Sequence, residues 1–440
     1  MKHLERNIYK LTWPIFIEML FFMLMGSVDT LMLSKYSDLS VASVGNANTV
    51  LNVFGVLFNV IAAGIAIVVS QYLGANREKE AKVVVKSGVY TNFAVGIVIF
   101  FILQLFGKLI FQAIKTDVDI IDWSLSYLKT IAWSLLFVSI SSSFSSAFRS
   151  YGKPKVVMSV MILANLLNVL LNYIFIFGNF GAPRLGVYGA ALGTLISRIF
   201  IFVMLLINMM RLLQINMFKF HYDSKSVLTI LKVGLPSALE NFMYSFSQIF
   251  ILSFINKMGT DAVTSRSYVM LLLTYVYVFT ISFSNANSII VGYYIGEKKP
   301  EEAYKQSFKT LKITLIFITI MLVVMNILAD PILRLLTENE AIIQLSKTVL
   351  LTGILLEIAR VLNWIFLQSL RGTGDTVFPL KVAVVSMYGV SVLFSYILGL
   401  KLNLGLVGVF IALSLDEFIR GLAMLLRWKS KKWVTKSLVK

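Results

Sequence analysis

The sequence predicts an all-α membrane protein: twelve transmembrane helices in two six-helix lobes, related as parallel repeats by a pseudo-twofold axis. Three observations carry this. Of 440 residues, 58% are hydrophobic and only 14% charged, with a mean hydropathy of +0.82, more apolar surface than a domain in water buries. The first half is written again in the second at an offset of 222 residues. Pro14 and Glu18 recur as Pro236 and Glu240, Gly74 as Gly296, Glu80 and Ala81 as Glu302 and Ala303, and Arg149 and Gly152 as Arg371 and Gly374. Lysine and arginine are also unevenly spread: 27 of the 40 fall in the short segments on one side of the predicted spans, 9 on the other and 4 within them. That bias puts the richer side, and both termini, in the cytoplasm of a multi-pass plasma-membrane protein.

The spans follow from apolar runs long enough to cross ~30 Å of hydrocarbon. In the first lobe (1–212) they are 8–34, 45–72, 83–107, 123–149, 156–178 and 187–212. In the second (228–428) they are 228–256, 267–294, 306–328, 345–370, 377–399 and 405–428. Residues 213–227 form a polar, basic cytoplasmic linker, and short loops join the other spans. Six spans per lobe is an even number, so both lobes enter from the same side, which makes the repeats parallel. The opening segment leads straight into a spanning helix with no small-residue cleavage site, so no signal peptide is expected. The tail, 429–440, is basic and suited to anionic lipid headgroups.

Composition also excludes. The net charge of +18 follows the loops and the tail, which favours a lipid surface over nucleic acid as partner. No cysteine is present, which rules out disulfides, thiol nucleophiles and thiolate metal sites. His3 and His221 lie in cytoplasmic segments without metal-ligand spacing, and the glycine clusters lack the lysine of a nucleotide cradle. Neither cofactor nor metal is expected, and no acid–base cluster at one depth suggests an enzyme. Two apolar repeats, each with an acid at the same place in its first helix, form the layout of a secondary transporter driven by an ion gradient.

Charges within the spans need a reason, since each costs several kcal/mol in hydrocarbon unless paired, neutralised or wet. Glu18 and Asp29 are three turns apart on one face of the first helix, with Phe22 and Met25 between them and roughly 16 Å of rise. Two titratable groups at different depths suit a proton relay. Glu240 repeats Glu18, with Tyr244 and Gln248 on the following turns; both glutamates are candidates either for the central cavity or for pairing within a lobe. Pro14 and Pro236 can serve as matched hinges. Glu357 and Arg360, spaced to neutralise each other, read as an ion pair facing the cavity, with Asn363 on the same face. Asp416, Glu417 and Arg420 read as a separate structural cluster. Asparagines stripe the second span (Asn48, Asn52, Asn59) and the fifth (Asn165, Asn168, Asn172), and must face protein or water. The serine-rich run of the fourth span supplies close packing.

Several segments resemble the multidrug and toxic compound extrusion (MATE) transporters. PIFIEMLFFMLMGSVDTLMLSKYS followed by ASVGNA is similar to the family's first helix and the loop after it. SQYLGANREKEA and GYYIGEKKPEEA resemble its paired loops after helices two and eight, and LRGTGDTVFP the loop after helix ten. The resemblance covers nearly the whole chain. It implies a monomeric V-shaped antiporter that exports organic, cationic amphipathic compounds against inward proton or sodium flow. Asp29 matches the family's cation-coupling aspartate, with Asn168, Asn172 and Thr194 as its partners. Sodium-binding members add a further Asp where this chain has Ile176, and the acid of NorM-type members falls nearest Arg360. Protons are therefore the expected coupling ion. Two alternatives stand beside this reading: a flippase of lipid-linked oligosaccharides, which should line its cavity with several basic residues, and a non-transporting membrane enzyme or receptor.

Overall fold

The computed structural model describes residues 5–439; His3 lies outside them. Among the described residues there is no strand. Thirteen helices follow one another: α1 (Ile8–Ser34), α2 (Asp38–Gly74), α3 (Glu78–Ala113), α4 (Val118–Ser150), α5 (Pro154–Phe177), α6 (Gly186–Leu212), α7 (Ser224–Asn256), α8 (Thr260–Gly296), α9 (Pro300–Ile327), α10 (Ala329–Leu336), α11 (Glu340–Thr373), α12 (Val377–Ser386) and α13 (Gly405–Lys429). α12 continues through two wider π-type stretches, Met387–Val392 and Ser395–Lys401. Residues 13–73 and 77–234 form one compact unit; the other takes 235 onward with 6–12 and 74–76.

Local chemistry sets several ends. Pro154 and Pro300 open α5 and α9, where no backbone donor is needed. Asp117 caps α4 by accepting from the amide of Asp119, and Asn339 caps α11. Gly178 and Gly374 close α5 and α11 in the left-handed conformation. α1 and α7 run through Pro14 and Pro236.

Two expectations change. ASVGNA is not a loop but part of α2, which starts at Asp38; glycine is at home in membrane helices. A short helix, α10, stands where a plain loop was expected. Eleven helices among the described residues are long and apolar enough to cross a membrane on length and composition alone; α13, at the place of the twelfth expected span, carries the buried charges Asp416, Glu417 and Arg420.

In the first unit α4 packs on α3 and α6, and α5 on α6. The α3–α4 seam is pinned by Asn92, whose amide donates to the Ser139 carbonyl at 2.8 Å and the Ser143 hydroxyl at 2.9 Å. In the second unit α11 is central, packed on α8, α9 and α13. The basic tail is seated here: Trp433 is buried, stacked on Trp428 with ring centres 4.2 Å apart, and donates to the Trp428 carbonyl at 2.8 Å.

The repeat extends past Gly374 at an offset of 219. Gly186 and Gly405 both open their helices at positive φ, +55° and +57°. Gly189 and Gly408 let α6 and α13 touch a neighbouring backbone: a Cβ would stand 2.4 Å from the Phe175 carbonyl oxygen in one case and 2.7 Å from that of Leu398 in the other. Gly189→Ala should therefore cost about 1–3 kcal/mol by forcing α5 and α6 apart. Gly45→Ala, where nothing lies within 4 Å, should be neutral. Thermal unfolding in detergent checks the pair; equal midpoints would contradict the close crossing.

Candidate functional site

Each unit encloses a cavity at repeat-equivalent positions. The first, about 310 Å3, is lined by Glu18, Met19, Phe22, Met23, Asn59, Ala62, Val138, Ser141, Ser142, Ser145, Arg149, Met161, Arg198 and Ile201. The second, about 130 Å3, is lined by Glu240, Asn241, Tyr244, Tyr277, Arg360, Trp364, Met387, Glu417 and Arg420. At the offset of 222, Glu18, Met19, Phe22, Val138 and Ser142 become Glu240, Asn241, Tyr244, Arg360 and Trp364. At 219, Arg198 and Ile201 become Glu417 and Arg420.

One interaction is common to both. Arg149 donates to Glu18 at 2.8 Å, and Arg371 donates to Glu240 at 2.8 Å. Acid and base are 131 residues apart in each case. Arg149 and Arg371 stand at the ends of their spans, where a basic residue adds to the cytoplasmic charge bias. They are in the last turns of α4 and α11, turned onto the acids of α1 and α7. A usable signal existed, since acid and arginine recur together at the same spacing.

Beyond that pair the cavities diverge. In the first, Arg149 also donates to Ser146, and methionine, phenylalanine and serine fill most of the wall. In the second, Glu357 pairs with Arg360, and Arg420 contacts Asp416 and Glu417 at 2.8 and 2.9 Å. Asn363 donates to Glu417 at 2.7 Å, and Arg360 lies over the Tyr277 ring. The cluster of Asp416, Glu417 and Arg420, expected to stand apart, is therefore joined to Glu357, Arg360 and Asn363. Four carboxylates and three guanidiniums, with Glu240 and Arg371 included, share one region. Gln248 does not line this cavity; it accepts from Arg266 at 3.4 Å.

Asp29 is buried and has no repeat counterpart, since position 251 is Ile. Asn172 donates to one carboxylate oxygen at 2.5 Å and Thr194 to the other at 3.2 Å. Asn168 reaches both Thr194 and Asn172 at 3.5 Å. Ile176 is buried one turn beyond Asn172. The site depends on Gly193, where a Cβ would stand 2.5 Å from the Asn172 side-chain oxygen. One turn after Thr194, Arg198 acts electrostatically on Asp29, covers the Phe22 ring at 5.3 Å and lines the cavity. The Asp29 constellation was anticipated by residue; Gly193 and the link through Arg198 were not.

A family model, MatE, matches residues 14–174 and again 236–397. The chain belongs to the MatE family. The two matched segments begin at Pro14 and Pro236, the same positions that open the internal repeat. They stop short of α6 and α13, so Thr194, Arg198, Asp416, Glu417 and Arg420 lie outside them. An uncharacterized transporter of Bacillus subtilis, YisQ, is 35% identical over 98% of this chain and 96% of its own length. A probable multidrug resistance protein NorM of Thermotoga maritima is 26% identical over 98% and 93%. A crystal structure of MATE in the bent conformation superposes with a TM-score of 0.89 at 20% identity, over 97% of this chain and 95% of that one. This MatE protein is thus a multi-pass membrane transporter with the all-helical MATE fold, and not an enzyme.

The twin ion pairs give a prediction. In Arg371→Leu the Glu240 carboxylate stays buried without its partner, which should cost about 3–5 kcal/mol. Replacing both, as Glu240→Met with Arg371→Leu, should cost distinctly less because no charge is stranded. Unfolding midpoints in detergent compare the two, and a double variant as unstable as the single one would show that the pair is not what stabilises this seam.

Proposed function

We propose that this protein is a proton-coupled antiporter of the plasma membrane, with both termini cytoplasmic, that exports organic cationic amphipaths by alternating access. The observation that carries the reading is the enclosure of Asp29 by the neutral groups of Asn172 and Thr194, with Arg198, which lines the cavity, acting on it electrostatically. Asparagine and threonine side chains hydrogen-bond a carboxylate in either protonation state. Ile176 offers no oxygen where sodium-binding members supply an acid, which favours the proton. Phe22 and the three methionines give a wall that repacks around flat hydrophobic cations. The relative from Thermotoga maritima is described as a probable multidrug resistance protein, which agrees with such a substrate. A flippase would need several unpaired cavity cations for a pyrophosphate, whereas Arg149 is neutralised by Glu18 and Arg198 alone of the lining basic residues lacks an ion pair.

Arg198 supplies the coupling. With Asp29 charged, the guanidinium is balanced, and a cationic substrate meets little repulsion. When Asp29 takes a proton from outside, Arg198 stands uncompensated beside the cavity and drives the cation out. At ~10 Å and an effective dielectric of ~20, that repulsion is about 1.7 kcal/mol, roughly fifteenfold in affinity. Loss of the proton to the cytoplasm restores binding.

Purified protein in liposomes, loaded with a cationic dye and given first a pH gradient and then a sodium gradient, tests the reading. The pH gradient should drive efflux and the sodium gradient should not. Asp29→Asn, which mimics the protonated acid, should reduce pH-driven efflux to the level of protein-free liposomes while inserting normally. Gly193→Ala should do the same without touching Asp29, because its methyl group displaces the Asn172 carboxamide. Near-normal pH-driven efflux by Asp29→Asn would refute the assignment. Arg198→Gln should still bind dye but lose most of the fall in affinity between high and low pH; an unchanged fall would remove Arg198 from the coupling.

A further inference from the structure

A third cavity, about 390 Å3, lies at the end of the first unit where the linker runs, lined by Lys82, Lys86 and Val83 of α3 and by Gln214, Ile215, Asn216, Lys219, Phe220 and His221 of the linker. The linker is held against α3 by two bonds: the Lys86 ammonium donates to the Lys219 carbonyl at 2.9 Å, and the Tyr90 hydroxyl to the Met217 carbonyl at 2.7 Å. Lys86 and Lys219 line the same space, where like charges repel. No carboxylate lines the cavity. Of the acids that flank its lining residues in sequence, Glu78 pairs with Lys82 at 3.1 Å and Glu80 with Arg77 at 2.9 Å. Asp223 accepts from the Ser226 hydroxyl and amide at 2.6 and 2.9 Å and so caps α7. Lys86, Lys219 and His221 are left facing one space with nothing of opposite sign in it.

We infer that this cavity is a binding site for a phosphate group, and that its natural occupant is the headgroup of an anionic phospholipid. Two lysines and a histidine around one concave space suit an oxyanion: the repulsion between the two ammonium groups falls when the anion enters, and basic pockets beside membrane helices hold such headgroups. The lipid source follows from the rim. Phe218 and Phe220 are 77% and 76% exposed, and Tyr222 is 47% exposed. Phe220 rests on Tyr90 with ring centres 5.0 Å apart and stacks near Tyr222 at 6.5 Å. Exposed aromatic rings around a basic pocket at the end of a membrane helix are the composition of the headgroup layer. The cavity volume is in the range of small-molecule sites. The linker then does more than join two halves, since a bound headgroup would tie residues 214–221 to α3 and to the membrane surface.

Native mass spectrometry of the full-length protein in detergent tests this. One arm adds phosphatidylglycerol or phosphatidylcholine; the other adds inorganic phosphate or glycerol 3-phosphate. Phosphatidylglycerol should bind and phosphatidylcholine should not compete with it. Lys219→Gln, on an exposed loop, should weaken phosphatidylglycerol about fivefold, and Lys86→Gln with Lys219→Gln about twenty-fivefold, from about 1 kcal/mol per basic residue. Lys108→Gln, exposed near the opposite end of α3 and outside this lining, should leave this binding unchanged. Binding of the soluble phosphates alone, lost in the same lysine variants, would keep the phosphate site and assign it a soluble ligand. Lysine variants that keep wild-type affinity for every probe, or a wild type that binds none, would overturn the proposal.

Discussion

A charge inside a membrane protein must meet its opposite, and this chain solves that problem twice in the same way. Glu18 with Arg149 and Glu240 with Arg371 tie the first helix of each unit to the end of its fourth spanning helix. The pairing explains why the repeat runs without a gap between these positions. One residue added or lost within a helix rotates everything beyond it by about 100°, which would turn the arginine away and strand two ions. The three-residue difference between the halves appears only after the arginines. There α5 and α6 are joined by residues 178–185, whereas in the second unit the preceding helix runs two residues further, to Lys401, and only residues 402–404 join it to α13.

Held by the same pair, the two cavities have become different chemical spaces. Val138 of the first unit is replaced by Arg360 in the second, Leu135 by Glu357, Ser141 by Asn363 and Ile201 by Arg420. The second cavity is accordingly small and filled by salt-linked side chains, which cost desolvation and repay it only while every partner is present. The first keeps an apolar wall and room for a guest. Asp29 belongs to the first unit alone, where amide and hydroxyl groups surround it rather than an ion pair. A carboxylate held by neutral partners can change charge without breaking a salt bridge. The lattice of the second unit cannot do so as cheaply.

Much of this was legible in one dimension. Repetition, span length and the acids within spans are properties of the chain order, and the Asp29 partners were implied by the resemblance to the MATE family. What stayed hidden depends on which helices touch. Glu357–Arg360 and Asp416–Arg420 looked like two self-contained groups because each is satisfied by spacing within one helix. Only the packing of α11 on α13 brings Asn363 to Glu417 and merges them. Arg149 and Arg371 were hidden for a related reason: an arginine at a span's end, followed by glycine, counts towards loop charge unless the acid across the bundle is known. Gly193 carried no signal at all, because its importance is the absence of a Cβ against Asn172.

The geometry of α6 ties these threads together. Thr194 and Arg198 are one turn apart and so share a face. The hydroxyl of Thr194 touches Asp29, while the guanidinium of Arg198 borders the cavity and covers Phe22. A proton added at Asp29 removes a negative charge from the surroundings of Arg198, and in a medium of low dielectric that change is felt across the cavity wall. No rearrangement of the backbone is needed for the first effect, only the loss of one charge. In the proposed mechanism Asp29 and the cavity share this one arginine, so they would be linked by electrostatics before any helix moves, and any larger motion would start from that imbalance.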